Sequence, residues 1–569
     1  MKWIKSEKFW QIFLGVTLII LTGLLIWQLY SLDILPQNIQ VPTIIALVLI
    51  VLILILIELE FGYKSKVRIA TLVLSILLCI VYGLGAYYVF RTNGTLTAIT
   101  AIRHLNENKV SLIALQESDI HSLDNLGGKR VGNLKSIDRE GTDKALKEIS
   151  GKTNAGYETV EFDSVPQEVT ALYNEDVDAI ILNEAYRTNV VDLEEYADFS
   201  SRTRVVETVT FTTTSTNEAL AVSDVTTKPY NILISGNDSY GDVGELSRSD
   251  VNMIVTVNPM TSTVLLTSIP RDSYVAVDCG DAYACAEGQM DKITHTGING
   301  ITSTKRTVEK LLNIDINYTF RVNFSSVTSI VDSIGGIDVD VPEGQAVETF
   351  YADSTLEGVT EGWNHLNGER ALSFARERYA YIDGDNQRVR NQQMVLKAIF
   401  DKATSPDIII NYTSLLNVLE NAFDTTLSRD EITDFIKYQI QAMPGWKFET
   451  YQLSGEGSIL FCPSLGQEAY VTILDQSTVA LAHDKIRAVL EGRDADEVMV
   501  PESNDISINQ YAPDLSGEGA DNGIDYSNME EPYYYENLQD ENTPLYDENG
   551  ELYEPDYSPE DFVEAPGEE

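Results

Sequence analysis

Three long apolar runs open the chain, at residues 9–30, 41–57 and 67–90. Each is near the length that crosses about 30 Å of hydrocarbon as a helix. A cleaved signal peptide accounts for one such run but not for three, so the pattern predicts three membrane-spanning helices over residues 1–90. The charges between the runs set an orientation. Lys2, Lys5 and Lys8 precede the first, and Lys64, Lys66 and Arg68 separate the second from the third. Residues 31–40 hold no Lys or Arg. This positive-inside pattern predicts a cytoplasmic amino terminus, a multi-pass cell-membrane protein, and an extracellular location for everything after about Arg91.

Beyond the runs the periodicity shortens and alternates. Over residues 95–216, VSLIAL, KRVGNL, YETVEF and VDAIIL read as strands, and DKALKEIS and VPQEVTALYNE as helices. This predicts a small accessory α/β domain. GGKRVGNL lacks the order of a phosphate-gripping loop and reads as a turn. The Thr- and Ser-rich stretch around residues 217–229 reads as a junction. Over residues 230–495, NILISG, VNMIVTVNP, TVLLTSIP, IDVDVP and TYQL read as strands. Helices fall in ITSTKRTVEKLLN, in FSSVTSIVDSIGG (stopped by Gly335 and Gly336), in LNGERALSFA (with Asn367 as cap) and in LAHDKIRAVLEG. The fold class is α/β, a mixed central β-sheet flanked by helices.

Charge is distributed unevenly along the chain. The formal net charge is -47, and residues 501–569 hold 21 Asp and Glu, eight Tyr and no Lys or Arg. That segment repels itself and has little aliphatic surface to bury, so it reads as a disordered acidic tail. The rest still carries about -26, without the basic footprint that a nucleic-acid partner requires. Of four cysteines, Cys79 lies in the third apolar run and Cys462 stands alone. Cys279 and Cys285 are close enough in a Gly-containing loop to form a disulfide outside the cell. As a thiolate metal pair they would need a second pair, which the chain lacks.

Against this acidity, Arg376, Arg378, Arg388 and Arg390 fall within fifteen residues. DNQRVRNQQMVLKAIFDKA has helical periodicity, with Val389, Leu396, Ile399 and Phe400 on a burying face and Arg388 and Gln392 four apart on another. Arg376 and Arg378, two apart, share a direction only where the chain is extended or turning. Guanidinium forks match phosphate geometry, so the cluster suits a polyanion. Surface salt bridges with Glu377, Asp383 and Asp385 are the competing reading. A second group, Asp238 and Asp250 at neighbouring strand ends, suits a hard cation such as Mg²⁺. Asp242 and Glu245 between them are further ligand candidates or loop acids, and Arg248 and Arg271 add positive charge beside the strands. A diphosphate held between Mg²⁺ and arginines has its leaving charge neutralised, which is the main demand of phosphoryl transfer. His295 and His365 read as structural or surface residues.

The ordered motifs ILISGND, RSDVNMIVTVNP, SIPRDSYV, KITHTGINGI, SIVDSIGGIDVDVP, HLNGERALSFARER and DGDNQRVRNQQ resemble the LytR-CpsA-Psr family of cell-wall proteins. The layout of three spans and an accessory domain resembles its capsule-type members. The resemblance implies an extracytoplasmic, Mg²⁺-dependent phosphotransferase. Such an enzyme moves a glycopolymer from a polyprenyl-pyrophosphate carrier onto peptidoglycan, with capsular polysaccharide the first choice of polymer and teichoic acid the second. It implies partners in the membrane, peptidoglycan and capsule-assembly machinery, and no nucleic acid. By position, Asp238 and Asp250 match the metal-associated acids. Arg248, Arg271, Lys292, Arg376, Arg378, Arg388 and Gln392 match the pyrophosphate-binding set, with Arg271, Arg376 and Asp385 closest to catalysis. Asn391 departs from the family pattern and leaves Gln392 in place. A polymer-binding sensor without turnover and a transcriptional regulator are the competing classes. The positive-inside count and the missing basic footprint oppose the regulator.

Overall fold

Helices α1 (Glu7–Leu32), α2 (Gln37–Phe61) and α3 (Ser65–Ile99) occupy the three apolar runs, and all three are long and apolar enough to cross a membrane. The structure is a computed structural model that describes residues 7–100, 105–239, 243–280, 285, 287–405, 414–415, 418–419, 422–499, 545–546 and 552–553. Helix α3 runs on past residue 90, where the apolar pattern stops. There Thr92, Thr97 and Thr100 satisfy their hydroxyls by donating to the carbonyls four residues back.

The chain divides into two units, Met1–Pro513 and Asp514–Glu569. In the second, the described residues form one short antiparallel pair, Leu545–Tyr546 with Leu552–Tyr553. The rest of the acidic tail, and with it the expected disorder, lies outside the described residues, as does Asp242.

In the first unit a small mixed sheet has the order β3-β2-β4-β1-β5. Its strands are β1 (Leu105–Leu115), β2 (Arg130–Leu134), β3 (Glu158–Phe162), β4 (Ala179–Asn183) and β5 (Thr203–Thr214). Helix α4 (Arg139–Lys152) covers one face through Ala145 and Ile149, and α5 (Val165–Tyr173) the other through Val165, Val169 and Leu172. Strand β5 escaped the sequence reading. Its alternation ends in the Thr-rich run that looks like a linker, yet it pairs antiparallel with β1 along that strand's whole length.

The larger sheet, also mixed, has six strands, with β6 (Tyr230–Asn237), β7 (Ser249–Asn258) and β8 (Thr263–Ile269) as its centre. Strand β9 (Tyr318–Asn323) lies parallel beside β6, and β11 (Lys447–Gln452) parallel beside β8. Strand β10 (Asp424–Thr425) closes the β9 edge. Period-two alternation divides the strands between two apolar faces. Leu233, Ile254 and Leu265 meet α6 (Ile301–Leu312) and α11 (Gln476–Leu490) in a dense core. Their neighbours Ile232, Ile234, Met253, Val255 and Leu266 face the opposite side, toward α9 (Asp385–Thr404) and α10 (Arg429–Ala442). Two further helices, α7 (Phe324–Ser333) and α8 (Gly368–Arg376), border that side. Gly335 and Gly336, both at φ +85°, release the chain from α7 into the strand Ile337–Val341. The Asn367 side chain caps α8 by accepting from the Arg370 N–H at 3.0 Å. Cys279 and Cys285 are joined, with Cα atoms 5.5 Å apart.

Candidate functional site

The side of the large sheet facing α9 and α10 encloses a cavity of about 960 Å³, a size typical of ligand sites. Its apolar wall includes Ile234, Met253 and Val255 from the sheet, Leu396 and Phe400 from α9, and Phe435, Trp446 and Phe448. The apolar face expected of α9 therefore lines a cavity as much as a core. Leu396, Ile399 and Phe400 border the space, while Val389 is buried. Tyr230 and Asp238 both touch the cavity from opposite ends of β6, eight positions and roughly 25 Å apart along an extended strand. The cavity thus runs nearly the length of the sheet.

Strand topology gathers the charge at one end. Asn237 pairs with Ser249, Asn252 with Ile269, and Asn323 with Asn237. Asp238, Asp250, Arg271 and the start of α7 are thereby brought to the same edge. Residues Ile293–Asn299 pack tightly beside them. A side chain at Gly297 would come within 2.4 Å of the Ser249 nitrogen, so only glycine allows Thr294 to approach Asp250.

Arg248, 8 % exposed in its side chain, is the centre of this edge. It pairs with Asp238 Oδ2, donates from Nη1 to Asp192 Oδ2 at 2.5 Å, and lies 3.9 Å from Asp250 Oδ1. Arg271 donates from Nη1 to Asp250 Oδ2 at 2.7 Å, and Thr294 donates to Asp250 Oδ1 at 2.8 Å. Burial opposes both guanidinium charges, but the surrounding aspartates hold both arginines above their ordinary range. Burial likewise pushes Asp250 up, yet Arg271, Arg248 and Arg388 together hold it well below the carboxylate range. Asp238 behaves in the opposite way. Burial first, and the Asp250 charge second, push its carboxyl up to about 7 despite Arg248.

The four arginines Arg376, Arg378, Arg388 and Arg390 divide between two roles. Arg376 ends α8 and Arg378 follows it outside the helix, so the two can point together; both reach the cavity wall. Arg376 lies over the Phe324 ring at 4.4 Å, and neither arginine has a carboxylate partner among the described residues. Arg388 and Gln392, four apart on α9, also line the cavity. Arg388 pairs with Asp385. Burial and the neighbouring Arg271 charge hold Arg388 below its ordinary range. Of the expected salt bridges two form among the described residues, that of the exposed Arg390 with Asp383 at 2.5 Å and that of the buried Arg388 with Asp385.

Three expectations need correction. Glu377 is not a solvent-facing acid. It is 1 % exposed and accepts the backbone N–H groups of Tyr351, Arg378 and Ala380. Lys292 does not reach the cavity wall; it pairs with Asp272 at 3.0 Å, and Asp272 in turn flanks Arg271. Glu245 is no ligand to this site, because it pairs with Lys109 of β1. His295 is buried against Asp291 at 2.7 Å, and His365 sits exposed beside Asp338.

One contributor was missed altogether. Asp192 follows the short helix Arg187–Val191 in the small-sheet region, and it meets both Arg248 and Arg271. No spacing rule links a loop acid to arginines more than fifty residues away.

The belt leaves atoms unsatisfied. Asp238 Oδ1, Arg271 Nε and Arg388 Nε are buried without hydrogen-bond partners among the described residues. Native interiors seldom tolerate such groups without a bound ion, water or ligand. An orphan carboxylate oxygen on Asp238, with Asp250 nearby, is the hard oxygen chemistry that Mg²⁺ takes.

A family model described as the LytR_cpsA_psr family matches residues 196–481. A second, described as DNA polymerase processivity factor, matches residues 65–182. That stretch takes in α3 and stops short of β5, so it cuts across the small sheet. The polyisoprenyl-teichoic acid–peptidoglycan teichoic acid transferase TagU of Bacillus cereus is 32 % identical over 232 residues, covering 40 % of this chain and 70 % of that protein. The protein of the same name from Bacillus licheniformis is 31 % identical over 231 residues with the same coverage. The crystal structure of B. subtilis TagV is 26 % identical, covers 46 % of this chain and 98 % of that one, and has a TM-score of 0.38. The chain belongs to the LytR-CpsA-Psr family.

Proposed function

We propose that this chain is an extracytoplasmic phosphotransferase that moves a glycopolymer from a polyprenyl-pyrophosphate carrier onto peptidoglycan. One observation carries the reading: a buried arginine–carboxylate belt with unsatisfied atoms stands at the end of a long apolar cavity. That pairing suits a molecule that is hydrocarbon at one end and diphosphate next to it. The apolar stretch takes isoprenoid, and Arg248, Arg271, Arg376, Arg378 and Arg388 take the phosphates, with Gln392 as a polar neighbour. Lys292 contributes at one remove, by pairing with Asp272 beside Arg271.

The far end of the cavity favours delivery from a bilayer. Ile432, Phe435 and Ile436 of α10 line it. From the same helix Arg429 binds Asn93 near the end of α3, and Lys437 reaches Asp33 after α1 at 2.6 Å. The positive-inside count puts those two ends on the outer surface. Protease added to intact protoplasts is expected to digest the region after Arg91, and its protection would contradict this orientation.

In the reaction, an acceptor hydroxyl of peptidoglycan attacks the polymer-side phosphorus. The bond from that phosphorus to the bridging oxygen breaks, and polyprenyl phosphate leaves. Arg271 and Arg376 neutralise the oxygens on which charge develops. The hydroxyl proton goes to a carboxylate. Asp250 is a poor acceptor, because both of its oxygens are engaged and its carboxyl is held low. With Asp238 given to the metal, Asp385, 34 % exposed beside Arg388, is the acceptor in this proposal. Asp238 and Asp250 are the residues that would hold Mg²⁺, which when bound supplies Lewis-acid neutralisation of phosphate oxygens.

The relatives' names move teichoic acid ahead of the capsular polysaccharide suggested by the three-span layout. Deleting the gene is expected to lower wall-linked polymer and release the same polymer into the medium. Unchanged linkage of both polymers, in a strain stripped of related transferases, would contradict the reading.

A further inference from the structure

At the arginine end of the cavity stand two exposed tyrosines that no role so far uses. Tyr351 is 69 % exposed and Tyr379 66 %, and both border the cavity. Their ring centroids are 5.9 Å apart with the planes tilted at 48°. Arg378 lies over the Tyr379 ring at 4.4 Å and also hydrogen-bonds its hydroxyl.

Two large aromatic side chains left in water need a reason, and chance flexibility is not the reason here. The buried Glu377 carboxylate ties their two loops together. Its Oε2 accepts the Tyr351 N–H at 2.7 Å, and its Oε1 accepts those of Arg378 and Ala380 at 2.9 and 3.1 Å. One buried acid thus holds together the two backbone segments that carry the rings, beside the arginines and at the cost of desolvating its charge.

We infer that Tyr351 and Tyr379 form a platform for the first pyranose ring of the polymer, the sugar that follows the pyrophosphate. The inference rests on the proposed carrier. A carrier of that kind is linear: isoprenoid, two phosphates, then sugar. Hydrocarbon occupies the apolar cavity and the phosphates occupy the arginine belt, so the sugar emerges past the arginines, where these rings stand. A pyranose presents a face of C–H bonds that packs on an aromatic face, and hydroxyls at its rim that hydrogen-bond phenol and guanidinium. An isoprenoid would gain nothing from so wet a position.

Tyr351 is the cleaner probe, because its tie to Glu377 runs through its backbone and Arg378 does not stack on it. The test uses the full-length protein in detergent and two synthetic probes, geranyl pyrophosphate and the same lipid bearing one N-acetylglucosamine on the pyrophosphate. Tyr351→Ala is expected to weaken binding of the sugar-bearing probe about tenfold and leave geranyl pyrophosphate within about twofold. Tyr351→Trp, which keeps an aromatic face, is expected to retain both affinities within about threefold. Equal weakening of both probes by Tyr351→Ala, or no weakening of either, overturns the platform while the pyrophosphate site stands. Failure of the unaltered protein to bind geranyl pyrophosphate overturns the carrier reading itself, and the platform with it.

Discussion

Asp250→Asn is expected to cut polymer transfer by at least about a hundredfold and to lower the melting temperature by about 6–10 °C. The side chain is 15 % exposed and takes Arg271 Nη1 and the Thr294 hydroxyl, with Arg248 Nε at 3.9 Å. Asparagine matches the size and one acceptor but not the charge. Arg248, Arg271 and Arg388 then repel one another in a poorly solvated edge, and breaking one side of a buried ion pair costs about 3–5 kcal/mol. The sign with pH follows from the depressed carboxyl. Its stabilisation is complete above the unfolded value of 3.8 and is lost only as pH falls through the lower folded value. The gap between the two proteins should therefore hold through neutral and mildly acid conditions and close only in strong acid. Thermal melts from pH 4 to 8, with parallel transfer assays, check both parts. A variant that melts and transfers like the parent would contradict the geometry around Asp250.

Mg²⁺ is expected to raise the melting temperature of the intact protein at pH 8 by about 5–10 °C at a hundredfold its dissociation constant, and by much less at pH 5.5. Asp238 is the cause. Its carboxyl is pushed up to about 7 from 3.8 by burial and by Asp250, so the folded state prefers the protonated form. Charging it costs stability as pH climbs from about 4, and the cost is complete above about 7. A divalent cation on the unpartnered Oδ1 reverses that cost, and only where the carboxylate is charged. Asp238→Asn is then expected to melt higher than the parent at pH 8 without metal and to lose the response to Mg²⁺. A metal shift that ignores pH, or that survives in Asp238→Asn, would place the ion elsewhere.

Much of this site was readable because its chemistry lies in short ordered motifs. The alternation of β6 to β8 and the helical spacing of Arg388 and Gln392 are local properties, and local properties survive in sequence. The use made of an apolar face does not survive. Leu396 and Phe400 look like core residues whether they meet side chains or an open cavity, because periodicity reports only that a face avoids water. Glu377 shows the same limit for charge. An acid between two arginines suggests a surface salt bridge, yet its partners are three backbone N–H groups, one of them from a loop 26 residues earlier. Asp192 reaches the arginines through the packing of the small sheet region on the large one, which no spacing encodes. Strand β5 was lost because threonine serves linkers and strands alike.

In the proposed reaction the belt of arginines grips a pyrophosphate so that its polymer is transferred to the wall. Transfer of radiolabelled lipid-linked teichoic acid to purified peptidoglycan tests it most directly, with the full-length chain in vesicles and with Arg376→Lys beside it. Arg376 has no carboxylate partner among the described residues and borders the cavity. Lysine keeps its charge and loses only the two-pronged geometry. Label is expected in the peptidoglycan with the parent, with loss on adding chelator and a drop of at least about tenfold with Arg376→Lys. Absence of transfer by the parent, or equal transfer by the parent and Arg376→Lys, would contradict that reaction.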